Sequence, residues 1–118
     1  MEEKNYLLNA IKKNDHRLKK NSQFNYIYRK GERQSSKYFA LYTLKSKYGN
    51  NYRIGYSISK KVGKAWKRNL LRRRLKEIVR LNNLPQNGFN YILQAKIGAG
   101  ELDYQEIERQ ILSIFGKR

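Results

Sequence analysis

Two clusters of cations hold most of the chemistry this chain can do. The first is Lys12, Lys13, Arg17, Lys19 and Lys20; the second runs Lys60, Lys61, Lys64, Lys67, Arg68, Arg72, Arg73, Arg74, Lys76 and Arg80. Between His16 and Gly100 the only acids are Glu32 and Glu77, so this region lacks the mixed signs of an ordinary solvated surface. Across all 118 residues, 27 Lys and Arg face nine Asp and Glu, a formal charge of +18. A field of that size favours a polyanionic partner, and nucleic acid is the first candidate. Arginine dominates the second cluster, and its planar fork grips phosphate oxygens bidentately.

The same inventory excludes much else. With no cysteine there is no disulfide, no thiolate nucleophile and no Cys-based metal site. His16 is the single histidine, which excludes multi-His metal clusters and argues against His-centred catalysis. No carboxylate pair has recognisable spacing, and no Ser/His/Asp set is present. Lys61-Val62-Gly63-Lys64 lacks the spacing of a phosphate loop and reads as a turn before a helix. The expectation is therefore no catalytic residue, no metal ligand and no small-molecule cofactor. No apolar run approaches the ~20 residues of a membrane span, and Met-Glu-Glu-Lys is not the opening of a secretory signal. A cytoplasmic protein without a membrane partner is expected.

The elements that must position the cations follow from periodicity. The chain reads as one RNA-binding domain over 1–118, with 1–16 a flexible N-terminal extension. A helix is expected after Asn21 as N-cap, running to about Lys30 and stopped by Gly31, with Phe24, Ile27 and Tyr28 on one face. Residues 31–36 read as a turn with room for a short strand. Lys37 to Lys45 is a strand with Phe39, Leu41 and Thr43 on one face and Ala40, Tyr42 and Leu44 on the other. Tyr48-Gly49-Asn50-Asn51 is turn chemistry, and Tyr52 to Ser59 is the next strand. The short loop predicts that these two strands form an antiparallel hairpin. Residues 64–81 switch to helical period, burying Leu71, Leu75, Ile78 and Val79. Pro85 to Gly88 breaks the chain, Phe89 to Lys96 is a strand, and Gly98-Ala99-Gly100 reads as a flexible loop. Asp103 caps a last helix with Glu106 at the capping-box position, and Ile107, Ile111, Ile114 and Phe115 form its buried face. The order α-β-β-α-β-α makes an α+β sandwich of helices on one mixed sheet.

On a wheel at about 100° per residue, Asn69, Arg72, Arg73, Lys76 and Arg80 share one sector beside the apolar stripe, with Arg68 at its boundary. A helix docked by that stripe presents a cationic ridge. Like charges repel there, and a chain of phosphates relieves the repulsion. Asn69 adds a donor and an acceptor suited to ribose hydroxyls or a base edge. A second feature is aromatic. If the helix after Asn21 lies beside Ala40, Tyr42 and Leu44, the two form an aromatic groove flanked by Lys12, Lys13, Arg17, Lys19 and Lys20, fit for a single strand. Spacing alone equally allows Phe24, Ile27 and Tyr28 to be plain helix-to-sheet core.

The stretch Ser59 to Glu77, SKKVGKAWKRNLLRRRLKE, resembles the signature of the bacterial ribonuclease P protein component. Its Lys60-Lys61, Gly63 and Arg68-Asn69, followed by Arg72-Arg73 and Lys76, carry the likeness. Arg17-Leu18-Lys19-Lys20, Phe24, Gly31, Phe39-Ala40-Leu41-Tyr42, Arg53-Ile54-Gly55-Tyr56-Ser57 and Tyr91-Ile92-Leu93 resemble the family in order and spacing, over about residues 17–115. The resemblance implies a two-layer α/β sandwich of the ribosomal protein S5 domain 2 type, α-β-β-(β)-α-β-α with a mixed sheet, and a left-handed β-α-β crossover against the usual hand. It also implies a protein subunit that binds the catalytic RNase P RNA and the 5′ leader of precursor tRNA, with Mg²⁺ serving the RNA-catalysed cleavage. The expected RNA-binding residues are Lys60, Lys61, Lys64, Arg68, Asn69, Arg72, Arg73 and Lys76. The expected leader cleft is Phe24, Tyr28, Ala40, Tyr42 and Leu44 with Arg17, Lys19 and Lys20. Two residues depart from the family pattern. Arg74 replaces a neutral or apolar residue and is expected to point outward, and Tyr28 stands in place of phenylalanine. The alternative is a ribosomal or RNA-chaperone type RNA-binding protein outside any enzymatic complex; a standalone nuclease lacks a catalytic set.

Overall fold

The computed structural model describes residues 17, 18, 20–46 and 51–116. The expected N-terminal extension, Lys12, Lys13, Lys19 and most of the expected turn at Tyr48 lie outside these residues. The element order is α1 (Asn21–Lys30), β1 (Glu32–Ser35), β2 (Phe39–Lys45), β3 (Arg53–Ile58), α2 (Ala65–Leu81), β4 (Phe89–Ala95) and α3 (Tyr104–Ile114). Single 3₁₀ turns at Lys60–Val62 and Ala99–Glu101 precede α2 and α3.

Local chemistry sets the ends of these elements. The cap of α1 is Lys20 rather than Asn21, because Gln23, three residues on, takes the free Lys20 amide on its Oε1 at 3.3 Å. Gly31 closes the helix by donating its N–H to the Ile27 carbonyl at 2.8 Å. Asp103 caps α3 by accepting from the Glu106 amide at 2.8 Å. Glu106 does not complete the box in return. Its carboxylate is held by Arg109 and Gln110, which together keep it below the usual carboxylate range. The Gly98-Ala99-Gly100 segment, expected as a flexible loop, is an ordered 3₁₀ turn, because the Ala99 methyl is fully buried and needs a fixed backbone.

The sheet runs β1-β2-β4-β3. Here the expected hairpin of β2 and β3 is overturned, since β4 lies between them. It pairs antiparallel with β2, Leu41 opposite Leu93 and Tyr42 opposite Ile92, and parallel with β3, Gly55 opposite Ile92. The reason is burial. Tyr91, Ile92 and Leu93 are consecutive and all buried, so β4 needs cover on both faces and ladder partners on both edges. By contrast β3 alternates apolar with small or polar residues and tolerates an edge. Residues 17 and 18 run along that edge, with Arg17 bridged to Ile54 in parallel. The β3-α2-β4 unit is a crossover between parallel neighbours, and β1, the short strand the sequence left room for, pairs antiparallel with β2.

Each face of the sheet has its own apolar cluster. Phe39, Leu41, Ile54, Ile58, Tyr91 and Leu93 face α2 and α3, meeting Leu71, Leu75, Ile78, Val79, Ile107, Ile111 and Ile114. On the opposite face α1 lies across β2 and β4, with Leu18, Ile27 and Ile92 buried and Phe24, Tyr28, Tyr42 and Leu44 packed around them. Buried Gln110 ties α3 to the β1–β2 turn, its Oε1 accepting from the Ser36 hydroxyl at 2.8 Å and the Tyr38 amide at 3.3 Å.

Two glycines mark where α1 approaches the sheet most closely. A Cβ at Gly31 would stand 2.7 Å from the Ile27 carbonyl oxygen and 3.0 Å from that of Thr43, both backbone. One at Gly55 would stand 2.4 Å from the Phe24 ring, whose side chain can swing aside. We therefore expect Gly31→Ala to destabilise the fold by about 2–3 kcal/mol and Gly55→Ala by about 1 kcal/mol, within the range for overpacking. Urea unfolding of the two variants checks the order. A larger loss at Gly55 would mean that the Phe24 ring cannot yield.

Candidate nucleic-acid interface

The ridge forms as the wheel predicts. Asn69, Arg73, Lys76 and Arg80 are exposed along α2, Arg72 is half-exposed beside them, and Arg68 is half-buried at the boundary. Short-range contacts hold several of these groups in place. Arg68 Nε donates to the Gly63 carbonyl at 3.0 Å, which locks the helix to the turn carrying Lys60 and Lys61. That turn is anchored by buried Val62 and by Ser59 Oγ, which accepts from the Lys61 amide at 3.2 Å. Lys60, Lys61 and Lys64 are all exposed and extend the ridge past the start of α2. Arg72 donates to Asn69 Oδ1 at 3.1 Å, which turns the Asn69 amide group outward as a donor. Lys76 Nζ lies 5.9 Å from the Tyr56 ring centroid.

Arg74, expected to point outward and lying outside the ridge sector, is on another flank of α2. It is half-buried on the flank facing α3, where it lines a groove with Leu70, Glu77 and Tyr104. On the wheel it falls between Lys67 and Leu70, so docking α2 by its apolar stripe turns Arg74 toward α3. In the groove, burial raises the pKa of the Tyr104 hydroxyl, helped by its hydrogen bond to Glu77 and by the Glu77 and Glu108 charges, with Arg74 opposing.

The residues expected to form the cleft lie on the other side of the sheet, where α1 packs on it. Ile27 and Ile92 are buried there, and Phe24, Tyr28, Tyr42 and Leu44, all half-buried, pack around them. Tyr28 and Tyr42 meet edge to face, with ring centroids 4.8 Å apart and planes at 82°. Ala40 has no exposed surface, so it belongs beneath the cleft rather than to its lining. Arg33, which the sequence reading missed, adds a cation to this group. It stands opposite Tyr42 in the β1–β2 ladder, donates from Nε to the Tyr42 hydroxyl at 3.1 Å and places its guanidinium 5.9 Å from that ring's centroid. Recognising β1 as a strand would have supplied that register.

The flanking cations divide. Lys20 caps α1 and is exposed beside the cleft. Arg17 lies away from it, in a hollow at the β3 edge shared with Tyr52, Tyr56, Lys76 and Arg80, because its neighbour Leu18 takes the inward position on the α1 side. In that hollow, burial and then the neighbouring Tyr52 push the Tyr56 pKa well up, so its hydroxyl stays neutral. Among the described residues, no three His, Cys, Asp or Glu side chains come together as a metal site, and no helix is long and apolar enough to cross a membrane. No donor set among the described residues fits the Mg²⁺ that the resemblance implies.

The ribonuclease P family model matches residues 12–118. The chain belongs to the ribonuclease P protein family. The ribonuclease P protein component of Natranaerobius thermophilus is 40% identical over 101 residues, covering 85% of this chain and 87% of the relative. Among solved structures, the RNase P protein of Staphylococcus aureus superposes with a TM-score of 0.79 at 29% identity, over 84% of this chain and 91% of that one. The RNase P protein of Thermotoga maritima gives 0.75 at 26% identity, over 84% and 94%. These likenesses bear out the mixed α+β fold and the family resemblance of the signature stretch.

Tyr42 is the cleft residue with the most partners. We expect Tyr42→Ala to cost about 2 kcal/mol of stability, since it empties space over Ile92 and strands the Tyr28 edge. Tyr42→Phe keeps the ring and loses one exposed hydrogen bond, worth about 0.5–1 kcal/mol. Chemical denaturation of both variants measures the gap, and equal losses would place the weight on the hydroxyl.

Proposed function

We propose that this chain is the protein subunit of a ribonuclease P ribonucleoprotein, gripping the catalytic RNA with the α2 ridge and the 5′ leader of precursor tRNA in the α1 cleft. The observation that carries this reading is the separation of two different binding chemistries by one sheet. The ridge offers cations and a donor amide with little aromatic surface, which suits the phosphates of a folded RNA. The cleft offers half-exposed rings over an apolar floor, which suits unpaired bases. Cleavage itself falls to the RNA subunit with Mg²⁺. The chain contributes binding energy and positions the leader, so it holds the scissile bond where the RNA can act.

Reconstitution tests this directly. The chain is mixed with precursor tRNA, Mg²⁺ and a bacterial RNase P RNA at physiological salt. RNA-dependent, protein-stimulated release of the leader is the expected result. Binding without stimulation would point instead to a ribosomal or chaperone type of RNA-binding protein, and cleavage without the RNA to a standalone nuclease.

A second measurement isolates the ridge. Replacing Arg68, Arg72 and Arg73 together by Gln should weaken RNA binding and flatten its salt dependence by roughly 0.7–0.9 log-log units per lost phosphate contact. Arg73 is exposed and Arg72 half-exposed, so their loss should appear in binding, while loss of the Arg68 bond to the Gly63 carbonyl also lowers the thermal midpoint. An unchanged salt slope would reduce the ridge to a solvated face.

A further inference from the structure

We propose that Trp66, with the seam between α2 and α3 beneath it, is a stacking site for an unpaired nucleotide of the RNA that the α2 ridge holds. This rests on the RNA-binding reading above and adds a second contact surface to it. Trp66 is the chain's only tryptophan, and 64% of it is exposed. A ring of that size left in water gives up the burial that large aromatics normally supply to a core. Its position is not random with respect to the ridge. Residues 66, 73 and 80 repeat at seven-residue spacing, so Trp66, Arg73 and Arg80 form a column along α2 with steps of about 10.5 Å.

The surface around the ring is concave and cationic. A hollow of about 270 Å³ is lined by Trp66, Lys67, Leu70, Arg74, Gly100 and Glu101, among others. It shares Leu70 and Arg74 with a groove of about 560 Å³ bounded by Arg73, Arg80 and Tyr104. Together they make a trough with an indole at one end and arginines along its length. The acids in it are engaged. Glu101 is ion-paired with Lys67 Nζ at 2.5 Å, and Glu77 accepts from the Tyr104 hydroxyl. Lys67 Nζ also lies over the Trp66 ring, 5.8 Å from its centroid, so the cation backs the indole and a base would stack on the ring surface that stays exposed.

This chemistry favours a nucleotide over a protein. A protein hot spot around an exposed tryptophan calls for a desolvated apolar surround, whereas this ring shares its hollow with Lys67 and Arg74. Stacking between a base and an indole needs no particular sequence and combines naturally with a cationic backbone track. The seam lies on the sheet face opposite the α1 cleft, so the nucleotide belongs to the RNA on α2 and not to the strand in the cleft.

As the only tryptophan, Trp66 reports on its own site. The full chain is titrated with an RNase P RNA transcript in Mg²⁺ buffer, with tryptophan emission and filter retention followed in parallel. We expect emission to be quenched along the retention isotherm. Trp66→Ala should weaken retention roughly tenfold, and Trp66→Phe should keep most of the affinity. The thermal midpoint of both variants should match the parent. Retention with unchanged emission, or unchanged affinity in Trp66→Ala, would overturn the site while leaving the RNA-binding reading intact. No retention of the parent chain would overturn both. Should Trp66→Ala melt early, the quench on the unsubstituted chain and the Phe variant's affinity still decide.

Discussion

Everything in this fold depends on β4 being buried on both faces. A strand with Tyr91, Ile92 and Leu93 in a row cannot sit at an edge or face water, so it must occupy the middle of the sheet. That one requirement separates β2 from β3, makes the β3–β4 pair parallel and forces the chain between them to cross over as α2. It also makes β4 the common wall of two sites. Ile92 is buried under α1, while Leu93 and Tyr91 on the other face support the helices that carry the ridge. The aromatic cluster under α1 and the cationic face of α2 are thus held at a fixed separation by a rigid element rather than by loops.

A chain with a net charge of +18 must also fold against its own field. The structure manages this by segregating sign. Apart from Lys67, the cations of α2 lie in water or find mostly neutral partners, Arg68 on the Gly63 carbonyl, Arg72 on Asn69 and Lys76 by the Tyr56 ring. The acids of the C-terminal stretch are spent locally. Glu101 takes Lys67, Glu106 takes Arg109, and Glu108 accepts from Asn82 at 3.2 Å. No described carboxylate is ion-paired to Arg68, Arg72 or Arg73, so their charge is kept available for a ligand. Surface ion pairs contribute little to stability, so leaving these cations without acids sacrifices little.

The sequence was most legible where structure is set by near neighbours. Helix α1 spans the expected residues, the apolar stripe of α2 is Leu71, Leu75, Ile78 and Val79 as read from the wheel, and Asp103 caps α3. Strand pairing was misread because a short loop between two alternating strands is a local signal, and the competing requirement of β4 lies thirty residues further on. The surroundings of Arg74 were hidden for a similar reason. The wheel gives its angle correctly, but whether that angle meets water or another helix depends on where α3 docks. Arg17 left the cleft for the same kind of reason, since only the Ile54 bridge decides which of residues 17 and 18 faces inward.

Whether the aromatics between α1 and the sheet are core or contact surface was left open by their spacing, and the packing leaves them half-buried, between the two. Ile27 and Ile92 are 2% and 0% exposed and carry the apolar burial that holds α1 to the sheet. Phe24 packs against this cluster and is seated on Gly55, where any side chain would displace it. Tyr28 and Tyr42 brace each other edge to face, an arrangement that fixes both rings without covering them. Arg33 then holds the Tyr42 hydroxyl from the neighbouring strand. Rings fixed in this way lose little further freedom when a base stacks on them, and an interface whose ordering cost is met on folding binds more tightly for the same contact area.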